Sequence, residues 1–127
     1  MLIIGHPWVQ SPKFHKVFSL EELKKSHADE IVLLQPLMDS HTLAQYCQDN
    51  GIAYAVETTS LDDALFANAL GAKYMLCKED IALLVQPIAQ EYLFDTRVLV
   101  PINNEKEIAK IAKSAIDGVI FAEAIYS

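Results

Sequence analysis

Short apolar runs, separated by segments with helical periodicity, set the organisation of this chain. The runs are rich in branched and aromatic side chains, and turn-forming or polar residues bound them. They occupy residues 2–4, 31–34, 52–56, 74–77, 98–100 and 119–121. We expect each run to form a strand, because uninterrupted apolar runs are typical of parallel strands that are covered on both faces.

The segments between these runs carry helix-start signals. Ser19-Leu-Glu-Glu and Ser60-Leu-Asp-Asp have the spacing of a capping box, in which a serine accepts from the backbone three residues later. Asp39 or Ser40 is the expected cap of another helix, and Asn104-Glu-Lys-Glu is the expected start of the last one. Together with a helix near residues 79–92, the pattern predicts five helices.

The alternation of strands and helices predicts an α/β fold with about six mostly parallel strands, since such strands are joined by helical crossovers. The 127 residues fit one domain, spanning residues 1–127. Two architectures remain open, a partial (β/α) barrel and an open three-layer sheet. A consecutive strand order favours the barrel fragment, and a reversal favours the doubly wound sheet.

Two segments have an ambiguous pattern. Residues 7–18 fit either a long loop or a short added strand. Pro87 falls inside the fourth helix, where proline removes a hydrogen bond and costs about 3 kcal/mol. We therefore expect a kink at this position or two short helices.

The glycines fall mainly at the entry side of the strands. Gly51, Gly71 and Gly118 each follow a helix and precede a strand, where a left-handed residue commonly ends a helix. Gly5 alone follows a strand. The chain also lacks the GxGxxG and GxxxxGK[ST] patterns, so the sequence offers no glycine-rich phosphate loop.

The charge balance excludes several partners. The net charge is −7, and Arg97 is the single arginine. Lys106, Lys110 and Lys113 alternate with glutamates and indicate a solvated helix face, so we expect neither nucleic acid nor an anionic membrane as a partner. No apolar run approaches the roughly 20 residues of a membrane helix, and no signal peptide is apparent. We expect a soluble, cytoplasmic protein.

The two cysteines lie in different strand–helix units without a CxxC pattern, which argues against a disulfide framework. Cys77 follows a strand, the position of a possible nucleophile, but no histidine is near it in sequence. Cys47 adjoins Tyr46 within a helix. We expect both to be reduced, buried thiols.

Ligands of parallel α/β folds bind at the carboxyl ends of the strands. Glu57 and Lys78 follow strands that we expect to be neighbours. A partly buried Lys78 would suit a Schiff-base nucleophile, with Glu57 as acid or base. The simpler interpretation is an ion pair at the rim, or a lysine that only starts a helix.

Four further polar residues follow strands and are candidate ligand-binding residues: His6, His41, Asn103 and Glu123. The histidines could join Glu57 or Glu123 around a metal ion, but their spacing matches no local zinc motif. We therefore treat them as loop histidines and predict neither a metal nor a cofactor.

The last two units resemble the closing strands of phosphate-binding (β/α) barrels. The resemblance rests on Arg-Val-Leu-Val-Pro-Ile-Asn-Asn-Glu-Lys-Glu-Ile at 97–108 and Ala-Ile-Asp-Gly-Val-Ile-Phe-Ala-Glu-Ala-Ile at 115–125, which are similar to the end of tryptophan synthase α chains. Tyr-Ala-Val-Glu-Thr-Thr-Ser-Leu-Asp-Asp-Ala-Leu at 54–65, through Leu-Gly-Ala-Lys-Tyr-Met-Leu at 70–76, is similar to quinolinate phosphoribosyltransferase and aldolase barrels. The resemblance implies a barrel-like fold over about half the chain.

The chain departs from these barrels at their phosphate site. Ala122-Glu123 stands where the family places a phosphate-binding glycine, and Pro101-Ile-Asn stands where another glycine is expected. A carboxylate at this position repels phosphate. We therefore do not carry the phosphate site over to this chain.

The function that these observations favour is a non-catalytic binding or self-associating module of degenerate barrel type. An incomplete barrel leaves a sheet face or edge to be covered. We expect a homodimer in which Trp8, Phe14, Phe18 and Tyr126 cover that surface, and a small-molecule ligand is a further possibility.

Two other functions fit the sequence less well. The alternative is a small lyase or aldolase-like enzyme that uses Lys78 with Glu57. A flavodoxin-like receiver or nucleotide-binding domain fits poorly, since Gly5-His6 stands in place of an acidic pair and Glu57-Thr58 in place of an aspartate.

Overall fold

The computed structural model describes residues 1–127 and contains eight strands and five α-helices. The strands are β1 (Leu2–Ile4), β2 (Phe14–Lys16), β3 (Ile31–Leu34), β4 (Tyr54–Glu57), β5 (Tyr74–Leu76), β6 (Arg97–Ile102), β7 (Gly118–Phe121) and β8 (Ile125–Tyr126). The helices are α1 (Leu20–Lys24), α2 (Leu37–Asp49), α3 (Leu61–Ala69), α4 (Glu79–Glu91) and α5 (Glu107–Lys113). A single 3₁₀ turn, Ala122–Ala124, separates β7 from β8.

All eight strands belong to one parallel sheet with the order β1-β7-β6-β5-β4-β3-β2-β8. The strands from β2 to β7 are consecutive, and β1 lies beside β7, as a first strand does beside a last one in a barrel. No reversal interrupts the order. The predicted α/β class is confirmed, and the sheet is a curled half-barrel.

Side chains alternate between two separate apolar clusters. Val32 and Leu34 point to the larger cluster, which also contains residues of all five helices. Ile31 and Leu33 point to the smaller one, which contains strand residues and Ala124 but no helix residue. The helices therefore cover one face, and the concave face is filled by its own side chains, as in a barrel. The open three-layer alternative is wrong.

The strand count is higher than the sequence predicts. The two additional strands are β2, within the ambiguous segment 7–18, and β8 at the end of the chain. β8 pairs with β2, and the two strands match Phe14 with Ile125 and His15 with Tyr126. β2 has the sequence Phe-His-Lys and β8 has only two residues, so neither forms an apolar run and the pattern predicted six.

Serine caps start two of the helices as predicted. The Oγ atoms of Ser19 and Ser60 accept from the backbone N–H groups of Glu22 and Asp63 at 3.2 and 3.1 Å. The prediction for α2 is wrong, because this helix begins at Leu37 and Ser40 lies inside it.

The start of α5 and one of the two alternatives expected for α4 also differ from the structure. α5 begins at Glu107, three residues after Asn104. α4 continues through Pro87 without interruption, so two short helices are not formed. Pro87 is exposed, and water can bond the carbonyl group that proline leaves without a donor.

The glycine prediction holds at two of its three positions. Gly51 and Gly71 are left-handed, whereas Gly118 is not. A Cβ atom at Gly118 would lie 2.6 Å from both the Cβ atom and the carbonyl oxygen of Leu2. Gly118 therefore permits the close approach of β1 to β7, and the left-handed residue after α5 is Ala115.

None of the helices has the length and apolar character that crossing a membrane requires.

Candidate functional site

Two cavities open at the carboxyl ends of the strands. Loops after β1, β6 and β7 line the first, which has a volume of about 720 Å³. The ends of β4, β5 and β6, together with Ile125, line the second, with a volume of about 590 Å³. The rule for parallel sheets therefore points to this edge of the molecule.

The first cavity brings together three of the predicted ligand-binding residues, His6, Asn103 and Glu123. They come from three different loops, and the strands that precede these loops are neighbours in the order β1-β7-β6. The parallel register places the ends of those strands side by side, which explains why residues so distant in sequence meet.

Two hydrogen bonds fix the imidazole of His6. Its Nδ1 atom accepts from the backbone N–H of Trp8 at 3.1 Å, and its Nε2 atom lies 2.8 Å from Oε2 of Glu105. Because Nδ1 accepts, the proton of the neutral ring is on Nε2 and is donated to Glu105. The ring also contacts Phe121, at a centroid distance of 5.7 Å.

The loop after β6 is held by the first turn of α5. The backbone N–H groups of Asn103 and Asn104 donate to Oε2 of Glu107 at 3.1 and 3.2 Å. Asn104 in turn accepts from the N–H of Lys106 at 2.9 Å. These bonds hold the backbone of this loop and the side-chain oxygen of Asn104 at the edge of the first cavity.

The second cavity contains the predicted pair Glu57 and Lys78. Their strands, β4 and β5, are neighbours as predicted. However, the carboxylate of Glu57 pairs with Nζ of Lys16 at 3.0 Å and makes no ion pair with Lys78. Lys16 and Glu57 each lie two residues after a side chain of the smaller apolar cluster, on the concave face of the sheet. Because side chains two residues apart on a strand point to the same face, both are directed toward the same opening.

Lys78 itself is exposed and directly precedes α4. It makes no ion pair, and Glu79, the next residue, pairs with Lys110 at 3.2 Å. The rim ion pair expected between Glu57 and Lys78 is therefore replaced by a Lys16–Glu57 pair, which leaves the Lys78 amine free.

The remaining candidates lie elsewhere. His41 is exposed on α2, within 3.3 Å of the carbonyl oxygen of Leu37, and lines neither of the two cavities. Cys47 and Cys77 are buried, and burial raises their pKa values to about 11 and about 12. No group of three or more His, Cys, Asp or Glu side chains is arranged to hold a metal ion.

The sequence did not single out Glu105 or Lys16. Glu105 was assigned to a solvated helix face, since it alternates with lysines, and Lys16 fell in the ambiguous segment. Both pair with residues that are distant in sequence, His6 and Glu57. Only the strand order could have shown that these segments meet.

The geometry defines an α/β half-barrel with two openings at the carboxyl ends of its strands. No protein-family model matches the chain. No curated protein matches it either. Among solved structures, it is similar to a crystal structure of a deletion mutant of NadC, a quinolinate phosphoribosyltransferase, in a cubic space group. The TM-score is 0.51 and the identity 14%, over 91% of this chain and 50% of that chain.

This chain therefore spans about half the length of the NadC chain that it matches. At this identity the similarity concerns the fold alone. It supports the barrel-like part of the resemblance that the sequence indicated.

Proposed function

We propose that this protein is a non-catalytic module that binds a small molecule in the first cavity. The observation that carries the proposal is the meeting of His6, Asn103 and Glu123 from three loops around one opening of about 720 Å³. This volume falls within the usual range for small-molecule sites, roughly 300–1,000 Å³.

The imidazole of His6 and the backbone of the loop after β6 are fixed before any ligand arrives. His6 is bonded at both ring nitrogens, and the asparagine loop is bonded to Glu107. Fixed groups lose little conformational freedom on binding, so each contact contributes more to affinity.

The same bonds argue against catalysis in the first cavity. Ser11, the only hydroxyl side chain that lines it, accepts from the N–H of Gly5 at 3.0 Å. A nucleophilic serine needs an adjacent base. His6, the only imidazole there, already uses both nitrogens for Trp8 and Glu105.

Saturation-transfer NMR with a library of small metabolites tests this proposal. We expect some compounds to bind, and their affinity to fall about fivefold in Asn103→Ala and Glu123→Ala, because a lost hydrogen bond costs about 1 kcal/mol. Glu91→Ala, at the exposed end of α4, is the control and should bind normally. The proposal is overturned if nothing binds or if the cavity variants bind as tightly as the wild type.

A second candidate is lyase or aldolase-like chemistry at Lys78, as the sequence suggested. The observation in its favour is the free amine of Lys78, since Lys78 and Glu57 line the same second cavity. Against it, Lys78 is exposed and Glu57 is paired with Lys16, whereas Schiff-base lysines are typically desolvated.

Borohydride trapping with pyruvate and glyoxylate separates the two candidates. The chemistry at Lys78 predicts a covalent adduct that Lys78→Gln abolishes. Lys73→Gln is the matched control, because Lys73 is exposed at the opposite end of the same strand. An absent adduct, or one that survives Lys78→Gln, eliminates this candidate.

Self-association remains part of the proposal. Phe14 cannot contribute to a dimer interface, because it is fully buried within its own chain. Phe18 and Tyr126 are exposed and available for an interface, and so are Phe66 and Leu84 on the outer faces of α3 and α4. Trp8 is also exposed, but it lies beside the first cavity, so we do not place it in the interface. Light scattering at micromolar concentration should give twice the mass of one chain, and a monomer mass would contradict it.

A further inference from the structure

Trp8, the only tryptophan, is 90% exposed beside the first cavity. Tryptophan is usually largely buried, so such exposure needs a reason. The ring is nevertheless oriented, because it packs edge-to-face against His6, with a centroid distance of 5.3 Å and an interplanar angle of 77°. Trp8 thus presents an apolar, open ring surface next to the lining of the cavity.

The loop that carries Trp8 is itself constrained. Pro7 and Pro12 lie on either side of Trp8 and restrict the backbone. The N–H of Val9 donates to the carbonyl of His6 at 3.0 Å, and the N–H of Gly5 donates to Ser11 at its other end. The exposed ring is therefore a preformed surface.

Three residues with carboxamide side chains line the cavity itself. The side chains of Gln10 and Asn103 make no hydrogen bond within the protein, and Asn104 uses only its oxygen. Each carboxamide offers a donor and an acceptor side by side. Neighbouring hydroxyl groups on a ring present the matching acceptor and donor.

The charges of the cavity disfavour an anionic ligand. Glu105 is bonded to Nε2 of His6, and Glu123 makes no ion pair. Lys13 is the only lysine or arginine among the lining residues. Phosphate recognition ordinarily relies on arginine, lysine or a helix N-terminus, and the two carboxylates would repel such a group.

We propose that the ligand of the first cavity is an uncharged polyhydroxylated ring, such as a monosaccharide or a cyclitol without phosphate. This inference rests on the proposed function. The C–H face of the ring stacks on Trp8, and its hydroxyl groups bond the carboxamides of Gln10 and Asn103. Glu123 accepts from a further hydroxyl.

The single tryptophan provides a direct measurement. We expect titration with D-glucose, D-galactose, D-ribose and myo-inositol to shift the emission of Trp8 to shorter wavelength for at least one compound. The affinity for that compound should fall about tenfold in Trp8→Leu, measured by calorimetry, because the stacking surface is lost. Tyr92→Leu removes another exposed aromatic ring, directly after α4 and away from the loops that line the cavity, and should bind normally.

The outcomes separate this inference from the proposed function. If other library compounds bind in the first cavity while no sugar or cyclitol does, the inference fails and the proposed function stands. Tighter binding of glucose 6-phosphate or choline than of uncharged rings also overturns the inference. If no compound of any class binds, both fail.

Discussion

The hydroxyl of Tyr126 donates to the carboxylate of Glu30, at 2.6 and 2.5 Å from its two oxygens, although 96 residues separate them in sequence. The same tyrosine ring stacks on His15 at a centroid distance of 4.7 Å. His15 in turn lies 2.5 Å from Oγ of Ser26. These contacts hold the last strand against β2, at one edge of the curled sheet.

Tyr126→Phe removes the hydroxyl and keeps the stacked ring. We expect a lower free energy of unfolding and faster amide exchange in β2 and β8, since only the short strand pairing and the stacking on His15 remain. Urea denaturation and hydrogen exchange measure the two effects. Tyr92→Phe, an exposed tyrosine after α4, is the control, and an equal loss there would contradict the account.

The stabilising effect of this pair should depend on pH in both directions. The bond from Tyr126 lowers the pKa of Glu30 below 4.5, and the bond to Glu30 raises the pKa of Tyr126 from 10.0 to about 12. Because the pKa of Glu30 is lower in the folded protein than in the unfolded chain, its ionised form stabilises the fold at pH values above the unfolded pKa. This stabilisation is lost as the pH falls through the folded pKa. Because the pKa of Tyr126 is higher in the folded protein, its protonated form stabilises the fold at pH values below the unfolded pKa. This stabilisation is lost as the pH rises through the folded pKa.

The difference in stability between wild type and Tyr126→Phe should therefore be greatest between about pH 4.5 and 10. It should shrink below that range as Glu30 is protonated, and above it as Tyr126 ionises. Urea denaturation at pH values within and on both sides of this window provides the measurement. A difference that stays constant across all of them would disprove the linkage.

The two cysteines should be unreactive while the protein is folded. Burial raises the pKa of Cys77 to about 12 and of Cys47 to about 11, so little of the reactive thiolate is present below pH 9.0. We expect iodoacetamide to modify neither residue in buffer and both in urea, as read by mass spectrometry. Glutathione in the same buffer is the control for the reagent. Rapid modification of folded Cys77 would contradict its burial.

Ala115→Gly should stabilise the protein. Ala115 has a φ of 57°, and a side chain in this left-handed conformation costs roughly 1 kcal/mol that glycine avoids. We expect the free energy of unfolding to rise by about this amount in thermal or urea denaturation. Ala109→Gly, at an exposed position within α5, should lower it by a similar amount. Destabilisation by both substitutions would show that Ala115 is not strained.

The architecture was predictable because six of its strands coincide with uninterrupted apolar runs. β3 has four consecutive buried residues, which sequence hydrophobicity reveals directly. β8 has only two residues and depends on pairing with β2. Likewise, the left-handed residue that follows α5 is Ala115, whereas the glycine pattern predicted Gly118. The surrounding fold imposes the left-handed conformation on this alanine, and no residue type in the local sequence indicates it.

The sequence predicted where the candidate site lies, but not which of its side chains are bonded to each other. The position of each residue relative to a strand end placed His6, Asn103 and Glu123 at one edge. It could not show that Glu105 bonds His6, or that Lys16 takes the place expected for Lys78. Such pairs depend on strand order and on loop conformation, which neither periodicity nor composition encodes.

The central claim is that the first cavity is the ligand site of this half-barrel. A ¹H–¹⁵N correlation spectrum, recorded with a compound that binds, tests it most directly. The account predicts that the amide signals of His6, Asn103 and Glu123 shift, while those of Thr58 and Lys78 at the second cavity do not. Shifts confined to Thr58 and Lys78 would contradict it.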